Sequence, residues 1–283
     1  MRSYAGGTLF GSRLGEGAPR VLYLHGWGRT HRDFDEVRRH PLLTGADGDS
    51  AAPASLAVDL PGFGVSPAPP TGGGAGLYAR LLAPVVAECE QPVLLVGHSF
   101  GGRVALELAQ QRPAVAAALV LTGVPLLRPL TPRNQPKLSF RLARLGNRVG
   151  LVSNGHMETL RRRSGSDDYR NTHGVMRDVL VAAVNETYET QLRSTKIPVE
   201  LVWGDRDREV PPGVAVRAET MLADARLTLL PGVGHFVPTE APDDLAECVA
   251  RVLTRLLGIE ESPKAKPVAD RLWSVAADLV KHA

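Results

Sequence analysis

The chain has 283 residues, of which 43% are hydrophobic and 22% charged, and its formal net charge is +3. This much apolar surface offsets the entropy lost on folding, so a disordered chain is excluded, as are collagen-like and disulfide-rich folds. A charge of +3 is too small to argue for a nucleic-acid partner.

Cys89 and Cys248 are far apart and match no metal-ligand spacing, so they read as two buried thiols in a reducing compartment. No metal site and no cofactor is expected. The N-terminal residues lack the apolar core of a signal peptide. The longest apolar run, Ala114 to Leu121, has eight residues, far short of the roughly 20 that cross a bilayer. The expectation is a cytoplasmic protein without a membrane span, a monomer or a homodimer.

In chain order, Val21–Leu24 predicts a strand that runs into His25-Gly26-Trp27-Gly28. Leu56–Val58 predicts another, ending in Asp59-Leu60-Pro61-Gly62-Phe63-Gly64. Val93–Val96 leads into Gly97-His98-Ser99-Phe100-Gly101-Gly102, and Ala117–Leu121 into Thr122-Gly123-Val124-Pro125. Near-continuous Val/Leu/Ala runs closed by Gly-rich turns suit strands buried on both faces of a parallel sheet. Residues 126–195 differ: Leu138, Leu142 and Leu145, and then Val175, Val179 and Ala182, recur at helical spacing with no strand-like run. Cationic residues outnumber acidic ones there, most densely at Arg161, Arg162 and Arg163. The strand pattern returns at Val199–Trp203, before Gly204-Asp205-Arg206-Asp207, and at Leu227–Leu230, before Pro231-Gly232-Val233-Gly234-His235. Pro242-Asp243-Asp244 then opens a helix whose apolar stripe is Leu245, Val249, Val252, Leu253 and Leu256, and Gly258 can end it. A polar linker and a last amphipathic helix through Val268, Leu272, Val275, Ala276 and Leu279 follow. Alternating strands and helices predict an open, mostly parallel α/β sheet with helices on both faces. The expected division is a core of residues 1–125 and 196–259, a helical insertion at 126–195, and a linker with a C-terminal helix at 260–283.

The strongest chemical signal is Gly97-His98-Ser99-Phe100-Gly101, a G-x-S-x-G between a buried strand and a helix. Such a turn strains the nucleophile's backbone and lifts its hydroxyl clear of the sheet, while glycines on either side let strand and helix approach. A serine hydroxyl needs an adjacent base; His235, in a loop directly after a strand, is the candidate. The base needs an acid to hold its tautomer, and Asp205 and Asp207 both stand at the end of the preceding strand. Donors for a developing oxyanion are expected at the N–H of Phe100, just after the nucleophile, and at the N–H of Trp27.

These pieces, together with Ser66, Phe236, Glu240 and Pro242, resemble the α/β-hydrolase superfamily over about residues 18–257. In that family the acid usually stands three residues after the strand-end glycine, which selects Asp207 over Asp205. The resemblance further implies that the 126–195 insertion is a helical cap over the serine. It makes His25 a structural tie of the oxyanion loop, His98 a packing group beside the elbow, and Asp59 part of a structural turn. His156 and His173, in the cap, have no metal-ligand partner at useful spacing.

The function this implies is a serine hydrolase of small esters, acting on a small-molecule substrate through an acyl-serine. A second reading uses the same residues for carbon–carbon hydrolysis or a lyase reaction on an anionic substrate, as in meta-cleavage-product hydrolases and a menaquinone-pathway lyase of the family. Arg103, just after the elbow, is then the substrate-binding candidate, because a guanidinium fork suits a carboxylate. Epoxide hydrolases and haloalkane dehalogenases carry aspartate at the elbow, so Ser99 argues against both. The third reading is a non-catalytic ligand-binding protein on the same fold.

Overall fold

The computed structural model of the protein describes residues 1–44, 53–90, 92–128 and 171–258. Its centre is an eight-stranded sheet of β1 (Arg2–Tyr4), β2 (Leu9–Leu14), β3 (Val21–Leu24), β4 (Ser55–Asp59), β5 (Val93–His98), β6 (Ala116–Thr122), β7 (Val199–Gly204) and β8 (Ala225–Leu230), in the spatial order β1-β2-β4-β3-β5-β6-β7-β8. Strands β3 to β8 pair in parallel, and β1 and β2 add an antiparallel edge. The six apolar runs are the six parallel strands. The two antiparallel strands, RSY and LFGSRL, contain no apolar run to read, and only Tyr4, Leu9 and Gly11 are buried in them.

Successive residues of the parallel strands serve opposite faces. Leu22, Leu24, Leu95, Leu119, Leu121 and Leu201 join one apolar cluster; Val21, Tyr23, Leu94, Val96, Val120 and Val202 join the other. Burial on both faces explains why the central strands β3, β5 and β6 are largely apolar, whereas β7 admits Glu200 and β8, at the sheet's edge, alternates Arg226 and Thr228 with leucines. Helices α1 (Ala75–Leu81) and α2 (Phe100–Gln111) pack on the first face through Tyr78, Val104 and Leu108. Each of these side chains gains about 1.5–3 kcal/mol by leaving water.

The described part of the insertion holds α3 (Gly174–Asn185) and α4 (Glu189–Ser194) and no strand. Its buried side is offset from the expected stripe: Val179, Leu180 and Ala183 are buried, while Val175 and Ala182 are half-buried. Val179 and Ala183 join the first apolar cluster, and the Ala183 carbonyl accepts from the Arg103 guanidinium of α2. After α5 (Gly213–Glu219), α6 (Pro242–Leu256) covers the second face with Leu245, Val249, Val252 and Leu253, and Gly258 follows it at φ +65°. Leu138, Leu142, Leu145, His156, Arg161 to Arg163 and the 260–283 segment lie outside the described residues. Cys89 and Cys248 are both free and buried, and burial raises their thiol pKa values to about 11 and about 12. Among the described residues, no helix is long and apolar enough to cross a membrane.

Candidate active site

Ser99 follows β5 directly and begins α2 with φ +49° and ψ −112°. Few residues other than glycine adopt such a conformation, and the surroundings over-determine it here. The Ser99 amide donates to the Thr122 carbonyl of β6 at 2.9 Å, and the Ser99 carbonyl accepts from the Gly102 amide at 3.2 Å. Bare backbone is required beside it. A Cβ on Gly97 would lie 2.5 Å from the Gly102 Cα, and one on Gly101 would strike the Leu24 and His25 carbonyls. These glycines therefore let α2 start against β3 and β5, with the half-buried Ser99 at the carboxyl edge of the sheet.

Two later strands deliver the other polar groups to that edge. After β7, the Asp207 Oδ1 accepts from the Glu209 and Val210 amides, both at 2.8 Å. Its Oδ2 lies 2.8 Å from His235 Nδ1. Asp205 has a different duty, accepting from the Gly232 amide at 2.7 Å. Asp207 and His235 are only 4% and 7% exposed, so their hydrogen bond is shielded from water and stronger for it. With Nδ1 engaged by a carboxylate, the Nε2 lone pair of the neutral ring is free to accept a proton.

The His235 loop is held by a residue whose role was not legible from motif spacing alone. Glu240 accepts from the Gly234 amide at 2.6 Å and from the Phe236 amide at 3.0 Å. One carboxylate thus grips the backbone on both sides of the histidine. A second such group is Glu209, whose Oε2 lies 3.5 Å from His235 Nε2. No motif or periodicity marked it; the one available signal was its place two residues after Asp207.

Ser99, His235, Trp27, Phe100, Arg103 and Glu209 all line one cavity of about 320 Å³. The turn bearing Trp27 is packed by aromatic rings: Trp27 meets Phe63 at 4.9 Å and Phe100 at 5.5 Å between centroids, both edge to face. His25 ties that turn to the next loop, accepting from the Leu60 amide at Nε2, 2.9 Å away. Burial pulls its pKa down to about 4. His98 is fully buried with its ring centroid 4.9 Å from that of His235, and burial, helped by His235, lowers its pKa to about 3. Both rings are therefore neutral near pH 7. Asp59 sits in a turn: its Oδ1 accepts from the His31 amide and faces the His31 ring, both at 2.8 Å, and its Oδ2 accepts from the Val65 amide. His173 precedes α3 and is exposed.

Arg103 is 7% exposed. Its Nη1 donates to the Ala183 carbonyl, and its guanidinium lies 5.8 Å from the Tyr188 ring centroid. Its Nε has no hydrogen-bond partner among the described residues. Among the described residues, no cluster of three or more metal-ligating side chains occurs.

A model of the alpha/beta hydrolase family matches residues 21–248. Similar curated proteins include the pimeloyl-[acyl-carrier protein] methyl ester esterase of Neisseria meningitidis. It is 28% identical over 235 residues, spanning 76% of this chain and 86% of that protein. A 2-hydroxy-6-oxononadienedioate/2-hydroxy-6-oxononatrienedioate hydrolase of a Pseudomonas species is 23% identical over 278 residues, spanning 88% and 93%. Among solved structures, an esterase of Exiguobacterium antarcticum superposes with a TM-score of 0.67 at 18% identity, over 90% of this chain and 100% of that one, a likeness of fold.

Proposed function

Because the chain belongs to the alpha/beta hydrolase family, we propose that it is a serine hydrolase of small carboxylic esters, working through an acyl-serine intermediate. The observation that carries this reading is the 2.8 Å contact between buried Asp207 and His235, at a cavity that also holds Ser99 on its strained turn. The methyl ester esterase among the similar curated proteins supports it as well.

In this mechanism the Ser99 Oγ attacks the ester carbonyl while His235 Nε2 takes its proton. Asp207 holds the ring and stabilises the imidazolium that forms. The carbonyl oxygen becomes an oxyanion held by the N–H groups of Phe100 and Trp27, each worth about 100- to 1000-fold in rate. Collapse of the tetrahedral intermediate breaks the bond to the alcohol oxygen, which leaves with the proton from His235. Water then gives a proton to His235 and attacks the acyl-serine. A second collapse releases the carboxylic acid and returns the proton to Ser99. No metal or redox group enters these steps.

Ser99→Ala tests the reading. Turnover of a chromogenic short-chain ester and labelling by a fluorophosphonate are both expected to vanish, and undiminished labelling of the variant would refute the assignment. A second reading, with the same three residues acting on a carbon–carbon bond of an anionic substrate, is favoured by one observation: the largely buried Arg103 lines the cavity and makes no ion pair with a carboxylate among the described residues. A carboxylate there would gain a charge-assisted hydrogen bond.

A further inference from the structure

We propose that Glu209 sets the charge preference for the leaving group, so that the site favours esters of neutral or cationic alcohols over esters of alcohols that carry a negative charge. The inference rests on the serine-hydrolase reading above and names the substrate class it implies.

The argument starts from His235. Its Nδ1 is occupied by Asp207, so the proton it takes from Ser99 resides on Nε2 and must be handed to the departing alcohol oxygen. That oxygen has to come within about 3.2 Å of Nε2 to receive it. Glu209 Oε2 is already 3.5 Å from Nε2. Whatever the substrate, its leaving-group oxygen therefore lies within about 7 Å of a carboxylate. The distance exceeds an ordinary hydrogen bond, so the carboxylate acts through its charge rather than by capturing the ring.

The backbone that carries this carboxylate is anchored. The Glu209 amide is bound to Asp207 Oδ1, and the next residue's carbonyl accepts from the indole N–H of Trp203 at 2.9 Å. Of the other charged groups on the cavity, Arg29 is paired with Asp33 at 2.7 Å, and Arg103 donates to the Ala183 carbonyl of α3. No described ion pair to a lysine or arginine neutralises Glu209. Its side chain is 58% exposed, which screens its field without abolishing it. An arginine and a carboxylate on one cavity thus give it a polarity: Arg103 offers a cation, whereas Glu209 repels anions where the alcohol departs.

The test compares three butyrate esters of matched size: butyrylcholine, its uncharged isostere 3,3-dimethylbutyl butyrate, and an ester whose alcohol ends in a carboxylate. The ratio of kcat/KM for the cationic ester to that for the anionic ester is measured at low ionic strength. Glu209→Gln, which keeps the side chain's shape, is expected to lower this ratio about tenfold, and Glu209→Lys to lower it further. In the unaltered protein, added salt is expected to lower the same ratio. An unchanged ratio in both variants, or no response to salt, overturns the proposal. The inactivation rates of the protein by phosphonothiolates bearing thiocholine, its neutral isostere or a thiol carboxylate read the same preference without dependence on the acyl group. Ser99→Ala, run beside them, separates the two layers. If it still turns over the neutral ester, or if no phosphonothiolate reacts with the unaltered protein, the serine reading fails. If it is inert and the Glu209 ratios do not move, only the leaving-group inference fails.

Discussion

The backbone of Ser99 offers a direct test of how the site is built. Its φ of +49° and ψ of −112° lie near +60° and −120°, the first central position of a type II′ turn, where glycine dominates. Holding a residue with a Cβ in such a conformation costs about 1–3 kcal/mol. Ser99→Gly and Ser99→Ala both remove the hydroxyl, but only glycine removes the Cβ. Glycine also gains freedom in the unfolded chain, which takes back about 0.5–1 kcal/mol. The balance leaves Ser99→Gly more stable than Ser99→Ala by about 1 kcal/mol. For a chain of this length that corresponds to a Tm higher by roughly 2 °C. Calorimetry or urea unfolding of the two variants, compared at one pH, measures the difference. A glycine variant no more stable than the alanine variant would refute the claim that the nucleophile's position stores strain.

Other outcomes follow from the polar groups around the cavity. Asp207→Asn is expected to leave the fold intact while lowering kcat by about 10⁴, because the imidazole loses the carboxylate that orients it and stabilises its charged form; steady-state kinetics on a neutral ester would show this. Arg103→Ala is expected to cost about 10- to 100-fold more in kcat/KM on an ester with a carboxylate in its acyl part than on a neutral ester, and equal losses on both would remove Arg103 from substrate binding. Stability is expected to fall on mild acidification. The folded pKa values of His25 and His98 are lowered by burial to about 4 and about 3, whereas the unfolded chain binds these protons below about 6.5. The stabilising difference is complete above that value and is lost as pH falls toward the folded values, at about 2 kcal/mol for each ring by pH 5. Urea midpoints at pH 7 and pH 5 would show it, and His98→Gln should flatten the slope if it folds.

Much of the architecture is legible because most of the parallel strands are buried on both faces and so are written as largely apolar runs, each closed by a Gly-rich turn. Strands β1 and β2 are not, because they bury at most one face: only Tyr4, Leu9 and Gly11 are buried in them, so neither needs an apolar run. In the insertion, helical spacing identifies α3, but its buried side, Val179, Leu180 and Ala183, lies about a residue away from the stripe through Val175, Val179 and Ala182, because spacing alone does not say which side of the helix meets the core. At the cavity, residues that sit in a turn of fixed pattern could be read, as with Ser99, whose two neighbouring glycines mark the close approach of backbone. Asp205 and Asp207 stand at the same strand end, and only a difference of two residues in the loop decides which carboxylate faces His235. Glu240 binds the backbone on either side of His235 and Glu209 stands beside its ring, and such contacts across turns leave no periodic trace in a sequence.

The most direct measurement is to stop turnover of a chromogenic butyrate ester with acid within the first catalytic cycles and to map the mass of the protein's peptides. The mechanism predicts one butyryl group, carried on the peptide at the Ser99 hydroxyl, more persistent in Asp207→Asn and absent from Ser99→Ala. An acyl group found on a different side chain, or unimpaired ester cleavage by Ser99→Ala, would contradict it.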